Sequence, residues 1–549
     1  MDSDNILHSS IKSTSYDMVY QVLFKVVTFI LNGLILHNAD KEILGIMNSR
    51  LALLLGTVLF VSREAFRKSC VRNTYGQNWA KVINLTWLTV PSAIVCSLCF
   101  CCVWLHWLQL PSEPRVADYR LAVYVLGTSC FVESFAEPLY IFAQAFRYFR
   151  IRLLVDCVMM AFKIFPLAAT VLVCPEHTLK AFAIGHLAAS FSLVTLYAWY
   201  FRRKLAKKHI AVKNKESQPN DPLLTLPFDS MRDFLPRKLT GQPSIDRDLA
   251  KLTWSFFKQG ILKQILTSGE GYITTVFSVL TFAEQGVYDV VNNLGTMAAR
   301  LLFAPVEESS YMYFAQMIDR NMPLHNQPPQ QVTKLSQVLS ALLKFASLAG
   351  AIVLIFGFSY SHLLLRIYGG TCLTDGPGPN LMRAHFAYVL LLGINGVTEA
   401  YVRAAMSSQQ LDGHNRVMVV LSATFLILSW LLSRALGGVG FILANGINML
   451  VRIGYSINYI KNHYSAIPEG SPLGSLIPNG MQVTTLALAF LIIASSEVWI
   501  YPSSWLGHLV VGGVCGVAVL VCVLVTDKEL PYLWGFQNGE HFAMQTTQN

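Results

Sequence analysis

The chain has 549 residues, 53% of them hydrophobic and 13% charged, with a mean hydropathy of +0.45. A soluble globular protein carries roughly a quarter charged residues, so a large soluble core is excluded and a polytopic helical membrane protein is indicated. The net charge of +10 does not point to nucleic acid, because the basic residues cluster in loops between apolar runs, as positive-inside topology requires.

The N-terminal stretch MDSDNILHSSIKSTSYD is polar and lacks the basic n-region and short apolar core of a signal peptide. The first span is therefore expected to serve as its own targeting signal. Apolar runs of about 20 residues, enough to cross roughly 30 Å of hydrocarbon, recur along the chain. The first six lie near 16–36, 43–61, 82–110, 119–146, 151–173 and 180–201. After a polar break they resume near 252–281, 285–316, 336–359, 384–406, 416–436, 438–460, 481–501 and 505–526. An all-α fold of about fourteen spans is expected: an N-lobe over 1–201, a cytosolic linker over 202–250, a C-lobe over 251–460, two further spans over 461–526 and a cytosolic tail over 527–549.

Loop charge fixes the orientation. The second loop carries Arg63, Arg67, Lys68, Arg72 and Lys81, the fourth Arg147, Arg150 and Arg152, and the sixth the run RRKLAKK, whereas the first, third and fifth are poorer. Both termini are then expected to be cytosolic, although the C-terminal loops carry few charges, and the runner-up topology omits one span and puts the C-terminus on the other side. The RRKLAKK run reads as a solvated, topology-setting segment, with anionic lipid as the second reading. Asn84-Leu-Thr86 matches a glycosylation acceptor but lies on the cytosolic side, so it is expected to be unused. Cys96, Cys99, Cys101 and Cys102 crowd one helix without ligand spacing and read as small hydrophobes.

Charges inside the spans are the candidate site, since each costs roughly 2.5–3.5 kcal/mol at mid-bilayer. In the first span Gln21, Lys25, Thr28 and Asn32 form a stripe; Glu133 and Glu137 sit one turn apart in the fourth; Asp156 and Lys163 share a face of the fifth. Two long helices are expected over Lys251–Tyr313, joined by a turn near Phe282–Gly286. Gln259, Lys263, Thr267, Glu270 and Thr274 stripe one; Asn293, Thr296, Arg300, Glu307 and Tyr311 stripe the other. Pro305 is expected to kink the second. In the tenth span Glu399 and Arg403 are spaced to pair directly. These charges either line a polar substrate path or form internal ion pairs.

An internal repeat relates the halves. The stretch from Ile35 lies over that from Val279 without a gap, so Asp40 meets Glu284, Arg63 meets Glu307, Glu64 meets Glu308 and Arg67 meets Tyr311. A weaker anchor sets Glu137 on Glu399. Arg63 and Arg67 in one half, facing Glu307 and Glu308 in the other, are expected either to close a gate that an anionic diphosphate opens or to be ordinary boundary charges.

The motifs QVLFKVVTFILN, SREAFRK, KLTWSFFKQGILKQILTSGEGY, QGVYDVVNNLGTMAARLLFAPVEESSY, LLGINGVTEAYVRAAMS and GFILANGINM resemble the eukaryotic Rft family over nearly the whole chain. The resemblance implies a multi-pass endoplasmic reticulum protein of N-glycosylation. Its substrate would be Man5GlcNAc2-PP-dolichol, translocated from the cytosolic to the luminal leaflet. The implied fold is that of the flippases that export lipid II and O-antigen and of multidrug antiporters. By motif, Arg63 and Arg67 of SREAFRK and Glu307 and Glu308 of PVEESSY carry the most weight, followed by Glu270, Arg300 and Lys263, while His37 stands where the family has arginine. An accessory factor that hands the lipid on, with proteins of the N-glycosylation pathway as partners, and an ion-coupled antiporter are the alternatives. No GxxxxGK[ST] loop, HExxH or G-x-S-x-G elbow occurs, so neither an enzyme nor a cofactor or metal is expected.

Overall fold

The structure, a computed structural model, describes residues 27–71, 78–113, 115–146, 148–214, 227–239, 243–320, 322–467 and 471–527. Gln21 and Lys25, half of the first polar stripe, lie outside them. No strand occurs among the described residues. The helices group into two compact units, Met1–Gly286 and Val287–Asn549.

The first unit contains α1 (Val27–Asn38), α2 (Lys41–Val71) and α3 (Trp79–His106). It continues with α4 (Val116–Ser134), α5 (Glu137–Ala145), α6 (Phe149–Val173), α7 (Thr178–Asn214), α8 (Arg247–Thr267) and α9 (Gly269–Phe277). Helix α10 (Phe282–Ala298) begins in this unit and continues into the second. There follow α11 (Ala304–Met317), α12 (Pro329–Gly369), α13 (Gly378–Ala405), α14 (Ser408–Leu436), α15 (Gly438–His463), α16 (Gly480–Trp499) and α17 (Trp505–Thr526).

Ten helices among the described residues are long and apolar enough to span a bilayer: α2, α3, α6, α7 and α12 to α17. The stretches over α4–α5 and α8–α11 are helical but broken. The expected single helix over 252–281 divides at Ser268, and the next span divides at a π-helical turn, Ala299–Phe303, just before Pro305. A π turn leaves room for a residue whose missing N–H cannot continue the ladder. The turn expected at Phe282–Gly286 lies earlier. Ser278 adopts a left-handed φ of 49°, and Thr281 and Glu284 cap α10 reciprocally, each backbone amide bonding the other's side chain.

The segment between α7 and α8 is not a free linker over 202–250. Helix α7 runs on to Asn214, and residues 227–239 dock on the first unit as a strap. Phe228 and Phe234 of the strap enter an aromatic core with Trp79, Phe142 and Phe201. Asn84 is buried and pins the strap: its Nδ2 donates to the carbonyls of Arg237 and Ser244, and its Oδ1 accepts from the Arg237 amide, all at 2.8 Å. Trp87 Nε1 donates to the Phe234 carbonyl at 2.7 Å.

Helix α8 then packs along α2, with a hydroxyl contact Ser69–Thr253 at 2.7 Å, and α9 adds the contact Thr57–Tyr272, also at 2.7 Å. Where α10 starts, it crosses α2 at Gly45 and Gly286. A Cβ on Gly45 would lie 1.7 Å from the Phe282 carbonyl oxygen, so only glycine permits this approach. In the second unit, α11, α12, α13 and α15 enclose a core around Phe314, Leu339 and Tyr401. Helices α16 and α17 pack on α12 through Leu348, Ile493 and Val519.

Candidate functional site

Helix periodicity sets Arg63 and Arg67 one turn apart on α2. The break between α4 and α5 keeps Glu133 and Glu137 similarly spaced, with Pro138 starting α5 where its absent N–H costs no bond. These four residues meet. Arg63 Nη1 donates to Glu133 Oε2 at 2.8 Å and to Glu137 Oε1 at 3.2 Å. Arg67 binds Glu137 in bidentate fashion, Nε to Oε2 at 2.8 Å and Nη2 to Oε1 at 2.5 Å. Both carboxylates are almost completely buried, while the guanidinium side chains are 19% exposed. Ser190 of α7 adds a hydroxyl to Glu133 at 3.3 Å. Such pairs survive burial only with this degree of hydrogen bonding, because desolvation costs several kcal/mol per ion.

Beside this network an open cavity of about 510 Å³ is lined by Glu64, Arg67, Lys68, Val71, Tyr140, Gln144 and Arg152. The Arg67 guanidinium lies 3.8 Å from the Tyr140 ring centre and that of Arg152 lies 5.8 Å from it, within cation–π range. Glu64 pairs with Lys68 of its own helix at 3.2 Å.

The other expected residues of the first unit are more open. Lys263 is exposed on α8 and makes no ion pair among the described residues; Glu270 is half-buried on α9. In the second unit Arg300 is exposed and donates to the Asn293 carbonyl and Thr296 Oγ1, both at 2.9 Å. Glu308 is exposed, and Glu307 pairs with Arg403 of α13 at 2.6 Å.

The expected Glu399–Arg403 pair is therefore not formed. Glu399 instead accepts from Arg452 of α15 at 2.5 Å and from Asn395 at 3.0 Å. A pair within one helix is worth only about 0.2–0.5 kcal/mol, too little to hold Arg403 away from a carboxylate on a packed neighbour. The aligned positions Arg63 and Glu307 both form ion pairs inside their own unit, with opposite sign: Arg63 to acids on α4 and α5, Glu307 to a base on α13.

Sequence reasoning missed several functional side chains. Arg452 sits within an apolar run, as does Arg383, which pairs with Glu497 of α16 at 2.5 Å. Arg50 is fully buried in the π-helical turn Ile46–Leu51 of α2. Its guanidinium makes no hydrogen bond among the described residues and lies 5.1 Å from the Phe282 ring. A lone charge inside an apolar span was the available signal in each case.

Comparison with known proteins places these observations in context. The family model described as Rft protein matches residues 9–533. A Xenopus tropicalis protein described as Man(5)GlcNAc(2)-PP-dolichol translocation protein RFT1 is 40% identical over 536 residues, covering 97% of each chain. The Mus musculus protein of the same description is 39% identical and covers 98% of each, and that of Saccharomyces cerevisiae is 25% identical, covering 96% of this chain and 95% of its own. Among solved structures, the lipid II flippase MurJ in an inward closed conformation superposes with a TM-score of 0.60 at 12% identity, covering 94% of this chain and 99% of its own. An inward-facing MATE family multidrug transporter gives 0.55 at 11% identity, covering 80% and 96%. The chain thus has the fold of these transporters.

Proposed function

The chain belongs to the Rft protein family, and from that premise we propose that it moves Man(5)GlcNAc(2)-PP-dolichol from the cytosolic to the luminal leaflet of the endoplasmic reticulum membrane for protein N-glycosylation. Its similarity to Man(5)GlcNAc(2)-PP-dolichol translocation proteins supports the substrate, and the MurJ and MATE likeness supports a transporter architecture. The observation that carries the reading is the Arg63–Arg67–Glu133–Glu137 network inside a membrane unit.

Arginine forks match paired phosphate oxygens. In the unliganded state Glu137 occupies both forks. An incoming diphosphate takes its place on Arg67 and Arg63 and releases the carboxylate, so binding is coupled to the packing of α2 against α5. Glu307–Arg403 and Glu399–Arg452 provide the corresponding lock in the second unit, where Arg300 and Glu308 contribute polar groups, as Lys263 and Glu270 do in the first. The dolichol chain stays in lipid. With no nucleotide motif in the sequence, net movement follows either the lipid gradient kept by synthesis and consumption on opposite leaflets or an ion gradient.

The test is translocation of purified Man5GlcNAc2-PP-dolichol in liposomes containing only this protein. Transfer that requires the protein and disappears in Arg67→Glu is the expected result. Folded wild-type protein without transfer overturns the reading in favour of an accessory lipid-binding role.

A further inference from the structure

We propose that the open cavity at the end of α2, lined by Arg67, Lys68, Tyr140, Gln144 and Arg152, is the docking site where the lipid diphosphate first engages the protein from the cytosolic side. This rests on the reading that the substrate is a lipid-linked diphosphate.

The cavity's charge is unbalanced: three cations line it against the single carboxylate of Glu64. Its cations also retain binding capacity. The Arg152 side chain is 48% exposed and approaches Asp156 no closer than 4.0 Å, too far for a hydrogen bond. Lys68 has three donors and one acidic neighbour, Glu64. Arg67 spends Nε and Nη2 on Glu137, and Nη1 makes no hydrogen bond among the described residues.

Tyr140 organises the arrangement. Two guanidinium groups share its ring, which draws them to one side of the cavity. The two exposed cations come from separate helices, Lys68 from α2 and Arg152 from α6. They suit an anion with two charged centres on a short bridge, as in a diphosphate, better than a single carboxylate. The exposed amide of Gln144 supplies a neutral donor for a bridging or sugar oxygen.

The position also gives an order of events. Arg67 belongs both to the cavity and to the buried network. A diphosphate held by Lys68 and Arg152 therefore sits next to the Glu137 carboxylate that it must displace.

The test is equilibrium binding of a short-chain prenyl diphosphate N-acetylglucosaminide to the full chain in neutral phosphatidylcholine nanodiscs. Arg152→Glu and Lys68→Glu should each weaken binding by about tenfold or more, the loss of one charge-assisted contact. Lys251→Glu, an exposed basic residue of α8 away from the cavity, should leave it unchanged. Where a reversal lowers the folded yield, Arg152→Gln and Lys68→Gln serve in its place.

Unchanged affinity in both cavity variants overturns the proposal. So does a loss confined to phosphatidylinositol bisphosphate, titrated in parallel, because the cavity would then serve a membrane headgroup. Binding that depends on both cations without any liposome transfer removes the transport reading and leaves the docking site. Transfer retained with cation-independent binding does the reverse.

Discussion

At the scale of single residues, Glu137 carries the greatest burden in the first unit. It is buried, accepts from two arginines, and holds Arg67 in both of that residue's short contacts. Glu137→Gln keeps the shape and removes the charge, leaving Arg67 without a counter-ion and Arg63 with Glu133 alone. Removing one partner of a buried pair costs about 3 kcal/mol, which should lower the unfolding midpoint in detergent. Adding Arg67→Gln should restore part of it, with a coupling of about 1 kcal/mol or more in the double-mutant cycle. Additive effects would show that the pair contributes no mutual stabilisation. Arg63, Arg67 and Glu137 were legible in the sequence as charges at the edges of apolar runs. Their partnership was not, because it joins positions some 70 residues apart and depends on how helices pack. Arg50 and Arg452 escaped for the opposite reason: hydropathy averaged over a span conceals one cation.

At the scale of elements, the spans read from apolar runs coincide with helices where the chain is described, and the errors concern breaks and extensions. Hydropathy does not register the π turns of α2 and at Ala299–Phe303, since these add backbone slack without changing composition. Nor did polarity reveal the strap, whose two phenylalanines are too few to read as a core segment. Its charged anchor joins a largely covered lysine to an exposed aspartate: Lys208 Nζ donates to Asp229 Oδ1 at 2.7 Å and to the Phe228 carbonyl at 3.0 Å. The Lys208 contact holds the Asp229 carboxyl below its ordinary value of 3.8. A depressed folded-state value means that this contact stabilises docking above the ordinary pKa and is lost as pH falls through the folded one. Amide protection in residues 227–239, taken relative to the intrinsic exchange rate at each pH, should therefore be constant from pH 8 to about pH 5 and fall only below about pH 4. Asp229→Asn should abolish the dependence. The whole effect should be less than about 1 kcal/mol and shrink in high salt, because the aspartate is solvated.

At the scale of the molecule, we propose from the loop charges that Asn84 and the strap lie on the cytosolic side and residues 107–113 on the luminal side. An acceptor sequon introduced into the latter loop should be glycosylated in microsomes, seen as an endoglycosidase-sensitive mobility shift. Asn84 should stay unmodified, both by side and because its amide is committed to the strap. Modification of Asn84 would invert the topology. The expected boundary between halves followed the long polar break, whereas contacts divide the chain at Gly286, since α8 packs on α2 and travels with the first unit. The opposed signs of Arg63 and Glu307 have a historical consequence. Two identical copies of an ancestral half would have carried one residue type at both positions. If the two aligned stretches descend from one ancestral half, as the repeat in the sequence suggests, an arginine in one and a glutamate in the other record divergence after duplication. Each replacement also had to be matched by its counter-ion, and in the second half that counter-ion lies one helical turn beyond Glu399, the counterpart of Glu137. The halves are thus no longer interchangeable: a chain assembled from two copies of either would lose the alternation of charge that the natural sequence has acquired.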